Sequence, residues 1–112
     1  MTANTRFAVC LGLLALASGH TLALDEIAAR KLAKGNNCFR CHAIEREKDG
    51  PAWTDIAAKY RKEPDGAKKL LRHLVSAPKI KLRELGTEEE HKIAKYDDEA
   101  QLRNLVQWIL SL

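Results

Sequence analysis

The sequence predicts an all-α domain, and three observations carry that prediction. Ala, Leu, Lys and Glu recur at helical spacings, runs of β-branched residues are scarce, and no stretch alternates apolar and polar residues for long. A chain of 112 residues gives room for one domain.

The elements follow in order. Thr2 to Arg6 is a short polar start with one positive charge, Phe7 to Ser18 is apolar, and Thr21-Leu22-Ala23 offers a small residue before a cut. Together these read as a secretory signal peptide over residues 1–23, with Gly19 as the alternative cleavage point. The apolar run is about 12 residues, short of the roughly 20 that span a bilayer, so no stable membrane insertion is expected after cleavage. Residues 24–112 then form the domain. Asp25 is expected to cap a first helix that runs to about Lys34, with Ile27, Ala28 and Leu32 on one side and Gly35 ending it. Gly50-Pro51 punctuates a charged, irregular stretch before a short helix from about Ala52 to Tyr60. A third helix is expected from near Pro64 and Asp65, with Leu70, Leu71, Leu74 and Val75 on one face, stopping before Pro78. Residues 77–96 read mainly as loop, with a turn of helix over Leu82 to Leu85. Asp97 and Asp98 open a last helix striped by Leu102, Leu105, Val106, Ile109 and Leu112.

The formal net charge of +4 falls to +3 once Arg6 leaves with the signal segment. That modest excess gives no reason to expect a nucleic-acid partner. No nucleophile, acid and base pair or phosphate loop is legible, so no enzymatic activity is expected. A domain of this size struggles to hold a fold on its own core, and a staple is expected.

The cysteines indicate which staple. Cys10 lies in the signal segment, leaving Cys38-Phe39-Arg40-Cys41-His42. Two cysteines about one helical turn apart can bond both vinyl groups of a porphyrin, while the next side chain, His42, turns to its iron. This C-x-x-C-H pattern is the attachment signal for one covalent haem c. A thioredoxin-like pair would need a βαβ setting and a zinc site four ligands, and neither is present in the pattern; a plain disulfide is the remaining rival.

Gly35 with Asn37-Cys38-Phe39-Arg40-Cys41-His42-Ala43-Ile44, Gly50-Pro51-Ala52-Trp53 through Tyr60, and Asp97-Asp98-Glu99-Ala100 through Leu112 resemble the small class I cytochromes c of the bacterial c551/c552 type. The resemblance implies about four helices wrapped around one haem, with the first and last helices crossing beside it. It also implies that the Pro51 carbonyl holds the outer nitrogen of His42. In that family a methionine before the last helix is the sixth iron ligand, yet the only methionine here is Met1. In the matching loop stands His91, within Glu88-Glu89-Glu90-His91-Lys92-Ile93, and it is expected to replace the methionine, ahead of an open site, His73, Lys92 or Lys95. Arg72, Lys79, Lys81 and Arg83 are unranked candidates for the haem propionates. Phe39, Trp53 and Trp108 are expected in a core shared with the porphyrin.

These features imply a periplasmic one-electron carrier with bis-histidine ligation and a potential below that of methionine-ligated relatives. Redox proteins are the expected partners, with Lys31, Lys34 and Arg40 near the attachment turn suited to an acidic docking face. The alternatives are a gas-binding or sensing haem protein and a haem subunit of a periplasmic oxidoreductase.

Overall fold

Four helices and one short hairpin form the regular structure of residues 23–112, the part of the chain that the computed structural model describes. The expected signal peptide, with Cys10, lies outside the described residues apart from Ala23.

Helix α1 (Glu26–Gly35) begins where the Asp25 carboxylate accepts the Ala28 N–H at 2.9 Å, satisfying one of the amides that a helix start leaves free. Its buried face is set by Ala29 and Ala33, both at 0% exposure, whereas Ile27 is 82% exposed. The expected apolar side is therefore rotated: the small alanines, one helical turn apart, lie inward, and Ile27 faces out. Gly35 is the last helical residue, but the left-handed turn that follows is made by Asn37 at φ 57°, a residue type that tolerates this region.

Helix α2 (Trp53–Lys62) has no side-chain cap; its Trp53 and Thr54 amides donate instead to the Ala43 and Ile44 carbonyls, each at 3.0 Å, which ties the helix to the chain after His42. Helix α3 (Gly66–Val75) starts after Asp65, which is left-handed at φ 54°, and buries Leu70 and Leu74 as its spacing predicts. A Cβ on Gly66 would sit 1.8 Å from the Tyr60 carbonyl oxygen, so only glycine fits this corner.

The segment expected to be mainly loop contains a hairpin. Strands β1 (Lys79–Lys81) and β2 (Glu88–Glu90) pair antiparallel, with Lys79 opposite Glu90 and Lys81 opposite Glu88. Opposite charges face each other across both end pairs, which favours the pairing. Residues 83–85 form a turn closed by Gly86 N–H to Leu82 O at 2.9 Å.

Helix α4 (Glu99–Ser111) starts with a reciprocal pair of bonds: Asp98 accepts the Gln101 N–H and the Gln101 side chain accepts the Asp97 N–H, each at 2.9 Å. Its stripe of Leu102, Leu105, Val106 and Ile109 is buried as expected, together with Trp108. This helix packs on the other three, whereas α1 meets neither α2 nor α3 among the described residues. The α1 start is locked to α4 by a double bond pattern between the Asp25 backbone and the Asn104 amide, at 2.9 and 2.7 Å.

Candidate functional site

The left-handed Asn37 swings the chain out of α1 into one tight 3₁₀ turn, Cys38–Arg40. Cys41 and His42 both donate backbone N–H to the Cys38 carbonyl, at 3.2 and 3.0 Å, so the cysteines and the histidine share one turn. Both thiols are half-buried and free, not joined in a disulfide. Burial pushes the Cys38 thiol up, against the opposing pull of its backbone hydrogen bond and Lys92. Lys48 closes the turn by donating from Nζ to the Phe39 carbonyl at 2.6 Å.

His42 is oriented by its neighbours. Its Nδ1 lies 2.8 Å from the Pro51 carbonyl, which can only accept, so Nδ1 carries the proton and Nε2 keeps a free lone pair. Gly50 backs the ring: a Cβ there would stand 2.6 Å from His42 Cε1 and 2.9 Å from Nδ1. Trp53 stacks at 6.0 Å between ring centroids, and Trp53 in turn packs edge-on against Trp108 at 4.9 Å and beside Phe39 at 4.8 Å. Burial holds His42 below the ordinary imidazole value, outweighing the Pro51 bond. A neutral imidazole is the form that ligates a metal.

His91 comes from the segment between β2 and α4. Its backbone N–H donates to the Pro78 carbonyl at 2.8 Å, and its Nδ1 lies 2.8 Å from the Lys92 carbonyl. Its Nε2 is thus also left with a free lone pair. The His42 and His91 ring centroids are 6.3 Å apart. Two imidazoles bound through nitrogen on opposite sides of one metal ion, at about 2.0–2.1 Å each, place their centroids about 6 Å apart. His73, on α3, meets His91 edge-on at 4.6 Å, and burial pushes it down to about 4. Lys92 and Lys95 are exposed. Of the basic residues considered for the propionates, Arg83 is ion-paired with Glu47 and donates its backbone N–H to the Asp49 carbonyl at 3.4 Å, while Arg72, Lys79 and Lys81 are exposed.

The donor set fits a haem: two thiols and an imidazole on one turn, a second imidazole at metal-bridging separation, and a glycine cradle behind the first ring. Two residues near the site were missed by the sequence reading. Asn36 is the one buried polar residue of the described core, at 7% exposure, and it continues the Ala29 and Ala33 face by one turn. Lys48 holds the turn from a stretch read only as charged and irregular. A polar residue on an apolar helical face was the available signal for Asn36; nothing in the charge pattern singled out Lys48.

The arrangement is that of a c-type cytochrome. A family model described as Cytochrome c matches residues 27–112, and the chain belongs to that family. It accordingly carries one covalently attached haem c. Cytochrome c-552 of Hydrogenobacter thermophilus is 34% identical over 86 residues, covering 76% of this chain and 82% of that protein. Cytochrome c-552 of Nitrosomonas europaea is 56% identical over 36 residues, a stretch that is 32% of this chain and 35% of that relative's length. Among solved structures, the class 1 cytochrome MtoD from Sideroxydans lithotrophicus matches with a TM-score of 0.74 at 47% identity, covering 80% of this chain and 97% of that one. The N. europaea cytochrome c552 structure matches with a TM-score of 0.58 at 32% identity, covering 74% and 98%. The fold is therefore that of the class I cytochromes c, with a short hairpin added to four helices.

Proposed function

We propose that this chain is a periplasmic one-electron carrier whose haem is attached through Cys38 and Cys41 and ligated by His42 and His91. The observation that carries the reading is the matched setting of the two imidazoles: each has Nδ1 bonded to a backbone carbonyl at 2.8 Å, and their rings lie 6.3 Å apart. When bound, haem supplies a ferric/ferrous couple. The Pro51 and Lys92 carbonyls fix the tautomers and make both Nε2 atoms better donors. With His42 and His91 both holding the iron, the haem would offer no position to a substrate and would supply electron transfer alone. Imidazole in place of methionine lowers the potential.

The first 23 residues direct export, and the purified protein should begin at Leu24 by mass spectrometry. No helix among the described residues is long and apolar enough to cross a membrane. Lys31, Lys34 and Arg40 are exposed beside the attachment turn and steer an acidic redox partner. Charge reversal at Lys31 and Lys34 should slow reduction by such a partner and flatten its ionic-strength dependence.

The deciding experiment is the visible spectrum of the dithionite-reduced holoprotein with and without CO, beside the reduction potential of His91→Met. A sharp low-spin spectrum that CO leaves unchanged, and a potential raised on the order of 100 mV in the variant, are expected, since axial ligands tune potentials over roughly 0.8 V. Rapid CO binding would move the protein to the gas-binding class. An unshifted potential would remove His91 from the iron.

A further inference from the structure

We infer that Asn36 is a positioning residue for the sixth iron ligand, holding the His91 segment against the end of α1; this rests on the reading of His91 as that ligand. Asn36 lies at the C-terminal end of α1, immediately before the turn that carries Cys38 and His42. Its side-chain amide is used on both atoms. Oδ1 accepts the Lys95 N–H at 2.7 Å, and Nδ2 donates to the Lys95 carbonyl at 2.9 Å and to the Leu32 carbonyl at 3.0 Å. The amide thus pairs with both backbone groups of Lys95 as a neighbouring strand would, across 59 residues of sequence.

Lys95 is four residues beyond His91, and the residues between have no regular secondary structure. Such a segment has few ways to resist displacement. It is held by the His91 N–H on the Pro78 carbonyl and the Ala94 N–H on the Leu74 carbonyl, each 2.8 Å, and by Asn36. The first two bonds tie it to α3 and the residues after it. Among the hydrogen bonds of the described residues, only the Asn36 pair ties it to the half of the molecule that bears Cys38, Cys41 and His42. Ala94, beside Lys95, is in the buried core and Asn36 is 7% exposed, so these bonds sit part-buried at the edge of the core. Removing one partner of such part-buried, charge-free hydrogen bonds leaves the other poorly satisfied. Asn36 therefore sets how often His91 leaves the iron, without touching it.

Three holoproteins test this: Asn36→Ala, Asn36→Asp and a control, Asp25→Ala, which weakens the same helix at its far end by removing its cap. The rate of CO binding to the ferrous protein reads His91 departure, and thermal melting reads general stability. In both Asn36 variants CO binding should quicken about tenfold or more, the equivalent of about 1.4 kcal/mol. Asn36→Asp keeps an acceptor for the Lys95 N–H but sets a carboxylate against the Lys95 and Leu32 carbonyls that Nδ2 now serves, so it too should bind CO faster than wild type. The control should melt earlier with the CO rate unchanged. Wild-type CO rates in the Asn36 variants, or an equal acceleration in the control, would overturn the inference. Should the variants fail to assemble, amide exchange in the wild-type holoprotein decides: a Lys95 amide as protected as the α1 core supports the clamp, and one exchanging like a surface loop overturns it. Failure of the ligand reading shows separately, as a His91→Ala spectrum identical to wild type.

Discussion

At the scale of single residues, the geometry of His42 depends on what is missing from residue 50. Gly50 carries no side chain, and a methyl group there would overlap both Cε1 and Nδ1 of the imidazole. Gly50→Ala should therefore push the ring off the Pro51 carbonyl, weakening that bond and destabilising the holoprotein by about 1–3 kcal/mol, the usual cost of overpacking. Thermal melting and the hydrogen-bonded Nδ1 proton by NMR would register it; an unmoved proton would show that the loop yields instead. His73 presses edge-on on His91 and is expected to act through packing. His73→Phe should keep the low-spin spectrum, and His73→Ala should loosen it towards CO binding. Both axial candidates were legible in the sequence, His42 from its motif and His91 from its place in the loop before the last helix of a chain whose one methionine is Met1. Asn36 was not, because its partner is the backbone of Lys95, and a backbone group leaves no mark in a sequence.

At the scale of elements, what the sequence shows depends on how many residues share the signal. The stripes of α3 and α4 repeat over two or more turns, and their buried residues fall where spacing places them. In α1 the buried positions are alanines, which carry little hydropathy, so Ile27 misdirects the assignment of the face. The hairpin has three residues per strand, too few for alternation to stand out, and its pairing is fixed by charges that sequence alone cannot match. The α2 to α3 corner is more sharply determined. Gly66→Ala must move the Tyr60 backbone, and a loss of about 2–4 kcal/mol in chemical denaturation is expected, in the range of disruptive packing changes. The same corner carries the Lys69 to Glu63 bond at 2.9 Å, which holds the Glu63 carboxyl below its ordinary value. A carboxyl lowered on folding stabilises above its unfolded value near 4.5 and loses that contribution as pH falls through the folded value. The stability difference between wild type and Glu63→Gln should thus be small at neutral pH, shrink in added salt, and vanish in acid.

At the scale of the molecule, α4 touches the other three α-helices while α1 meets neither α2 nor α3 among the described residues, so there α4 is the element that joins α1 to the rest. Across the opposite side, the loop after His42 is tied to the hairpin turn by Arg83, through Glu47 and Asp49, while the His91 segment is tied to the end of α1 by Asn36 and Lys95. Phe39 and Trp108 both pack on Trp53, which stacks on His42, and Phe39 remains only half-buried. A domain of this size buries too little apolar surface to be secure by itself. The haem is then the missing part of the core, joined by covalent bonds to one half and, in the ligation proposed above, by His91 to the other. The Cys38→Ala, Cys41→Ala double variant, expressed without attached haem, should lose near-UV circular dichroism from Trp53 and Trp108, while keeping part of its helical far-UV signal, because α4 still pairs with α1 through Asn104 and Asp25. Its thermal transition should be broad where the holoprotein's is sharp. A sharp transition with intact aromatic signals would mean that the helices close on each other unaided, and that the haem is a passenger in a finished fold.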